Sequence, residues 1–147
     1  ISGVHAFEIK HFDRIVVPVK KAFTSFIDAE DIGEIVAKIL SQPEKHLNKG
    51  YSITGPEAID YYAVEKILSE ELGRKITYAN PSPSLAKKYW IEVRGLDKTY
   101  SNVMNMLYMM TRMGTAKKVT TVFEEVMGKK PQTFRQFVKK NLNVWMR

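Results

Sequence analysis

Cysteine is absent from the 147 residues, which excludes a disulfide framework, a thiolate nucleophile and a cysteine zinc site. Long apolar runs are missing as well. None approaches the roughly 20 residues that a membrane-spanning helix needs, and the opening ISGVHAFEIKHF lacks the charged-then-apolar order of a signal peptide. These absences fit a cytoplasmic protein with no membrane partner. Glycine is sparse and poorly spaced for nucleotide chemistry: the 8 glycines, from Gly3 to Gly128, nowhere give G-x-G-x-x-G or a P-loop, so the chain holds no recognisable phosphate cradle. The three histidines, His5, His11 and His46, lack the i, i+4 spacing of a helical metal site.

What is present is enough for one domain over residues 1–147, since 44% of the chain is hydrophobic and no staple is needed at this length. The chain opens on Ile1 rather than a methionine, which is consistent with a processed or truncated polypeptide. A formal charge of +7 invites an anionic partner. The basic residues, however, are scattered in short doublets such as Lys20-Lys21 and Lys139-Lys140, without a nucleic-acid-binding motif, and a solvated surface explains them. Nucleic acid is therefore not expected as a partner.

Local signals alternate strand and helix. Arg14–Val19 and Phe23–Ile27 read as β-branched and aromatic strands, with Pro18 confining the first to an edge. Asp28 stands at an N-cap ahead of an apolar stripe, Ile32, Ile35, Val36, Ile39 and Leu40, that Pro43 closes. Gly50–Gly55 reads as a further strand, and Asp60 as the cap of a helix that stops at Gly73. Ile76–Ala79 is one more strand, after which the chain turns helical. Two capping boxes are spelled in the tail, Thr121-x-x-Glu124 and Thr133-x-x-Gln136. The expected class is α+β, with a few short strands and several helices.

Three stretches resemble chemistry. Tyr62-Ala-Val-Glu-Lys66 has the Tyr-x-x-x-Lys spacing of short-chain reductases, in which the lysine lowers the tyrosine's pKa. Here Tyr61, Val64, Leu68 and Leu72 form the buried stripe, so Tyr62 and Lys66 point away from the core, and the pair is expected to be inert. Ser84-Leu-Ala-Lys87 lacks the companion motifs of penicillin-recognising enzymes and reads as a helix start. Val103–Met113, with its many methionines, covers most of a helix circumference with apolar residues. It is expected to be buried on several sides, whether as core, as a subunit contact or as the wall of a ligand site.

In order along the chain, Phe26-Ile-Asp-Ala-Glu-Asp-Ile-Gly33, Gly50-Tyr-Ser-Ile-Thr-Gly-Pro-Glu-Ala58, Ile67–Tyr78 and Gly128-Lys-Lys-Pro-Gln-Thr-Phe134 resemble the C-terminal half of the NmrA-like proteins. These are atypical short-chain dehydrogenase/reductases that include NAD(P)H-dependent quinone reductases, azoreductase-like enzymes and redox-sensing regulators. The resemblance implies that NAD(P)H is held by an N-terminal Rossmann half absent from these residues. This chain alone would then bind no cofactor and contribute no catalytic residue. It also implies a cleft between the halves for a small planar acceptor, with Phe7, Phe12, Tyr108 and Met109 as the candidate wall. The exposed surface of such a half would self-associate or pack against a Rossmann half. The alternative is a non-catalytic redox-sensing or protein-interaction module.

Overall fold

A computed structural model describes residues 1–146. Helix α1 (Ala6–Phe12) runs into strand β1 (Arg14–Ile15), and α2 (Ala29–Leu40) is followed by the short α3 (Pro43–His46). Then come α4 (Tyr61–Leu72), strand β2 (Thr77–Tyr78), α5 (Pro83–Glu92), α6 (Lys98–Arg112), α7 (Val122–Met127), α8 (Phe134–Lys140) and a 3₁₀ turn, Leu142–Val144. The α+β class with few short strands is what forms.

Several local signals work as their chemistry predicts. Asp28 and Asp60 each accept a backbone N–H from the first turn of the helix they cap, from Glu30 and Ala63 respectively. Gly73 and Gly128 end α4 and α7 in the left-handed conformation, at φ of 62° and 69°, where a side chain would be strained. Thr133 and Gln136 form a complete capping box. The box spelled at Thr121 does not form, because the Thr121 hydroxyl instead meets the Glu125 carboxylate at 2.5 Å.

Strands are fewer and shorter than their composition suggests. β1 and β2 are parallel, Arg14 opposite Thr77 and Ile15 opposite Tyr78. The ladder ends there because β2 runs into Asn80, at φ 42°, and then Pro81, which has no N–H to give. Val16, Val17 and Val19 are buried all the same. Of Phe23–Ile27 only Thr24 pairs, in a single antiparallel bridge to Ile59. Gly50–Gly55 forms no strand: hydroxyls hold it instead, with the Thr120 Oγ1 donating to the Ser52 carbonyl at 2.6 Å and the Thr54 Oγ1 accepting from the Thr120 N–H at 2.9 Å.

The main core gathers Ile9, Ile15, Val17, Val64, Leu68, Ile76, Phe134, Val138 and Trp145 between α1, the two strands, α4 and α8. A smaller cluster of Ala86, Trp90 and Met104 joins α5 to α6, and Tyr108 touches both. Arg74 fastens the main core at its rim. It pairs with Asp13 and donates to the carbonyls of Ile9, at 3.2 Å, and Trp145, at 2.7 Å. No helix among the described residues is long and apolar enough to cross a membrane.

The methionine helix departs most from expectation. Of α6 only Ser101 and Met104 are buried. Val103, Met106, Leu107, Met110 and Met113 all lie on its exposed side, and Tyr108 faces inward. The helix is thus covered on one side only. The reason lies in the neighbouring elements: His5, just before α1, bonds Tyr108, and Trp90 of α5 packs on Tyr108 and Met104, so this side of α6 turns inward.

Candidate functional site

Aromatic residues crowd the exposed side of α1. Phe7 lies 4.6 Å from His11 and 5.8 Å from Phe12, centroid to centroid, and the Arg94 guanidinium stands 4.3 Å above the Phe7 ring, a cation–π contact. Phe7 and Phe12 are 42% and 51% exposed, so this cluster is not consumed by the core.

Phe12 continues into an open cleft of about 540 Å³, lined by Phe12, Arg14, Val16, Ala79, Pro81, Leu85, Tyr89 and Val93. The sequence dictates this shape. Successive residues of a strand point to opposite faces, so Ile15 and Tyr78 enter the core while Arg14 stays on the outer face. Pro83 then starts α5, capped by Ser82, and carries Leu85, Tyr89 and Val93 over that outer face. The volume falls in the range of small-molecule sites, and the lining is mostly apolar. A second hollow of about 210 Å³ lies between Phe26, Asp28, Gln132, Phe134 and Phe137.

Beneath α1 sits a buried polar cluster. The Tyr108 hydroxyl is 2.5 Å from His5 Nε2, and Glu8, fully buried, pairs with Arg94. Burial pushes the His5 imidazole down to about 3, with the N-terminal and Arg94 charges adding, so His5 is neutral at pH 7 and shares one hydrogen bond with the Tyr108 hydroxyl. Burial raises the Tyr108 hydroxyl above its ordinary value. His5 Nδ1, Glu8 Oε2, Trp90 Nε1, Ser101 Oγ and Asn105 Oδ1 are buried there without a protein hydrogen-bond partner.

Of the four candidate wall residues, Phe7 and Phe12 come together. Tyr108 reaches the same helix only through His5, with its ring against His5 and Trp90, and Met109 is half-exposed on α6. The sequence reading passed over Arg14 and Tyr89, although the alternation of β1 and the helical spacing of Leu85, Tyr89 and Val93 place them on one surface. Tyr62 and Lys66 stand on the exposed side of α4: Lys66 pairs with Glu70 at 4.0 Å, and Tyr62 packs its edge on Tyr78. Asp28 does more than cap, and Asp31 of the first turn joins it. Asp31 is buried and accepts the Gln132 N–H at 2.8 Å, while Asp28 accepts from the Gln132 amide at 3.3 Å, tying the start of α2 to the Gly-Lys-Lys-Pro-Gln-Thr stretch.

The β2-to-α5 connection is Ala79-Asn80-Pro81-Ser82, and β1 continues into Val16-Val17-Pro18. Neither supplies the glycine turn at a helix N-terminus that lets pyrophosphate approach the backbone. No group of histidines and carboxylates among the described residues is placed to hold a metal ion.

No protein-family model matches the chain. Relatives nevertheless align with nearly all of it. The agroclavine dehydrogenase of Claviceps fusiformis is 30% identical over 139 residues, 94% of this chain and 47% of that protein. The NAD(P)H azoreductase of Xenophilus azovorans is 28% identical over 136 residues, 92% of this chain and 47% of that protein. Among solved structures, the triphenylmethane reductase of Citrobacter sp. superimposes with a TM-score of 0.84 at 19% identity, covering 95% of this chain and 48% of that one. The chain spans about half the length of the relatives it matches.

Proposed function

We propose, for a chain that corresponds to the C-terminal half of the NAD(P)H-dependent reductases of the NmrA-like group, that it forms the acceptor-side wall of such an enzyme. The observation that carries this reading is the cleft bounded by Phe12 and Tyr89 and continuous with the Phe7–His11–Phe12 cluster. Exposed rings beside an apolar cleft of about 540 Å³ suit a flat conjugated acceptor such as a quinone, which gains from stacking and from exclusion of water. Nicotinamide chemistry requires a dinucleotide site, and this reading places that site in a Rossmann half outside these 147 residues. The present residues bind and orient; they hold no reacting proton or hydride.

Phe7 and Phe12 are assigned to the acceptor directly. Tyr108 and Met109 belong to the helix behind them, with Tyr108 fixing His5 and through it the start of α1.

The test uses the polypeptide that contains both this chain and a dinucleotide-binding half. NADPH oxidation is followed with a naphthoquinone as acceptor. Phe12→Ala is expected to raise KM for the quinone about tenfold with kcat nearly constant, the pattern of lost binding that is equal in ground and transition states. An unchanged KM overturns the assignment of the cleft. Calorimetric titration of NADPH into the 147-residue chain is expected to give no binding, and tight binding would contradict the division of labour.

A further inference from the structure

Among the described residues that line the cleft, Arg14 is the one charged side chain, and it acts on the Tyr89 hydroxyl by charge. Arg14 makes no ion pair or hydrogen bond among the described residues, and no carboxylate lines the cavity. Three other arginines are engaged elsewhere. Arg74 holds Asp13 and two carbonyls; Arg94 holds Glu8 and the Val4 carbonyl; Arg135 holds Glu70 and Glu71, each at 2.5 Å. The two acids nearest to Arg14 along α1 and β1, Glu8 and Asp13, are thereby neutralised by other residues. Arg14 lines the same surface as Phe12, Leu85, Tyr89 and Val93.

We infer that the cleft selects an aromatic anion: a flat ring system carrying a carboxylate or sulfonate, with the rings against Phe12 and Tyr89 and the acid group on Arg14. This rests on the reading of the cleft as an acceptor site and adds to it the class of acceptor. A guanidinium fork matches the two oxygens of such a group bidentately, and charge-assisted bonds of this kind are about twice as strong as neutral ones. Apolar walls around the pair lower the local dielectric and strengthen the attraction. An uncharged quinone would leave the exposed Arg14 to water and gain only the stacking. Arg14 is thus a specificity-determining residue and takes no part in chemistry.

The preference is measured with two fluorescent probes of similar size, anilinonaphthalene sulfonate and the uncharged N-phenylnaphthylamine, titrated into the purified protein. Arg14→Gln is expected to weaken the sulfonate about tenfold while moving the neutral probe less than about twofold; Arg14→Lys restores part of the loss, since an ammonium keeps the charge but not the fork. Added salt should weaken the sulfonate alone. Arg14 lies on the outer face of a surface strand, and thermal denaturation checks that each variant stays folded.

Because such probes also adhere to apolar surfaces, Met110→Ser on the exposed side of α6 serves as the control and should change neither affinity. Equal affinity of both probes for the wild type and Arg14→Gln overturns the inference. Loss of both probes in Phe12→Ala, with no difference between them in Arg14→Gln, leaves the acceptor cleft standing and removes only the anion preference. Probes that respond to Met110→Ser and ignore Phe12→Ala would remove the cleft itself.

Discussion

At the scale of single residues, Gly55 accounts for much of the specificity of the Thr54-Gly55-Pro56 element. A Cβ built there would stand 1.7 Å from the Phe26 carbonyl oxygen and 2.8 Å from its carbon, a collision with backbone that no rotamer change relieves. Gly55→Ala is therefore expected to lower stability by about 1–3 kcal/mol, read as a fall in the urea midpoint with an unchanged slope. The motif is legible in the sequence, but its reason lies in Phe26, on a separate segment. His5 gives a second residue-scale outcome. Its imidazole is held at about 3 in the folded chain against an ordinary 6.5, so the unfolded chain takes up a proton first as pH falls. Stability is full above pH 6.5 and declines below it, by about 1.4 kcal/mol per pH unit, levelling off near pH 3. His5→Asn should flatten this decline in denaturation curves taken between pH 7 and pH 4; a variant with the slope of the wild type would assign it to other groups.

At the scale of elements, helix boundaries were legible and helix orientation only partly so. Asp28, Asp60, Gly73, Gly128 and Thr133 act within a few residues of themselves, and their chemistry can be read without the rest of the chain. For α4, the stripe Tyr61, Val64 and Leu68 is the buried side, which leaves Tyr62 and Lys66 outside. In α6 the apolar residues at 103, 106, 107 and 110 form a one-sided stripe, but it faces outward, because Met104 and Tyr108 pack against Trp90 of α5 and Tyr108 bonds His5 at the start of α1. The result is an outward stripe at positions 103, 106, 107, 110 and 113, the i, i+3, i+4, i+7 arrangement of a docking face. We expect the protein to associate through it, with a second copy or with a Rossmann half. In the purified chain, Met106→Glu combined with Met110→Glu should bring the mass seen by light scattering down to that of a monomer. The melting temperature should stay within a few degrees of the wild type, as exposed substitutions rarely cost more than about 0.5 kcal/mol. A wild-type chain that is already a clean monomer with no bound partner would refute the association.

At the scale of the whole molecule, what sequence reasoning could not supply was the set of long-range ties. Asp31 and Gln132 are 101 residues apart, and Arg74 meets the Trp145 carbonyl across 71. An aspartate in the first turn of a helix, where a carboxylate is favoured in any case, gives no hint of a distant donor. The same holds for the cleft. Phe12 was visible as an exposed aromatic, whereas Arg14 and Tyr89 share a surface only because two short strands pair and α5 folds back over them. The family resemblance ran along the chain in order and therefore survived these gaps, since it depends on short elements and their spacing.

The division of the interior into two clusters has an optical consequence. The chain has 2 tryptophans, and both are fully buried, Trp145 in the main core and Trp90 in the smaller α5–α6 cluster. Each cluster thus carries its own fluorophore, so Trp90→Phe and Trp145→Phe yield two proteins whose emission reports separately on the halves of the interior, and the interval between their unfolding curves measures how firmly Tyr108 couples one half to the other.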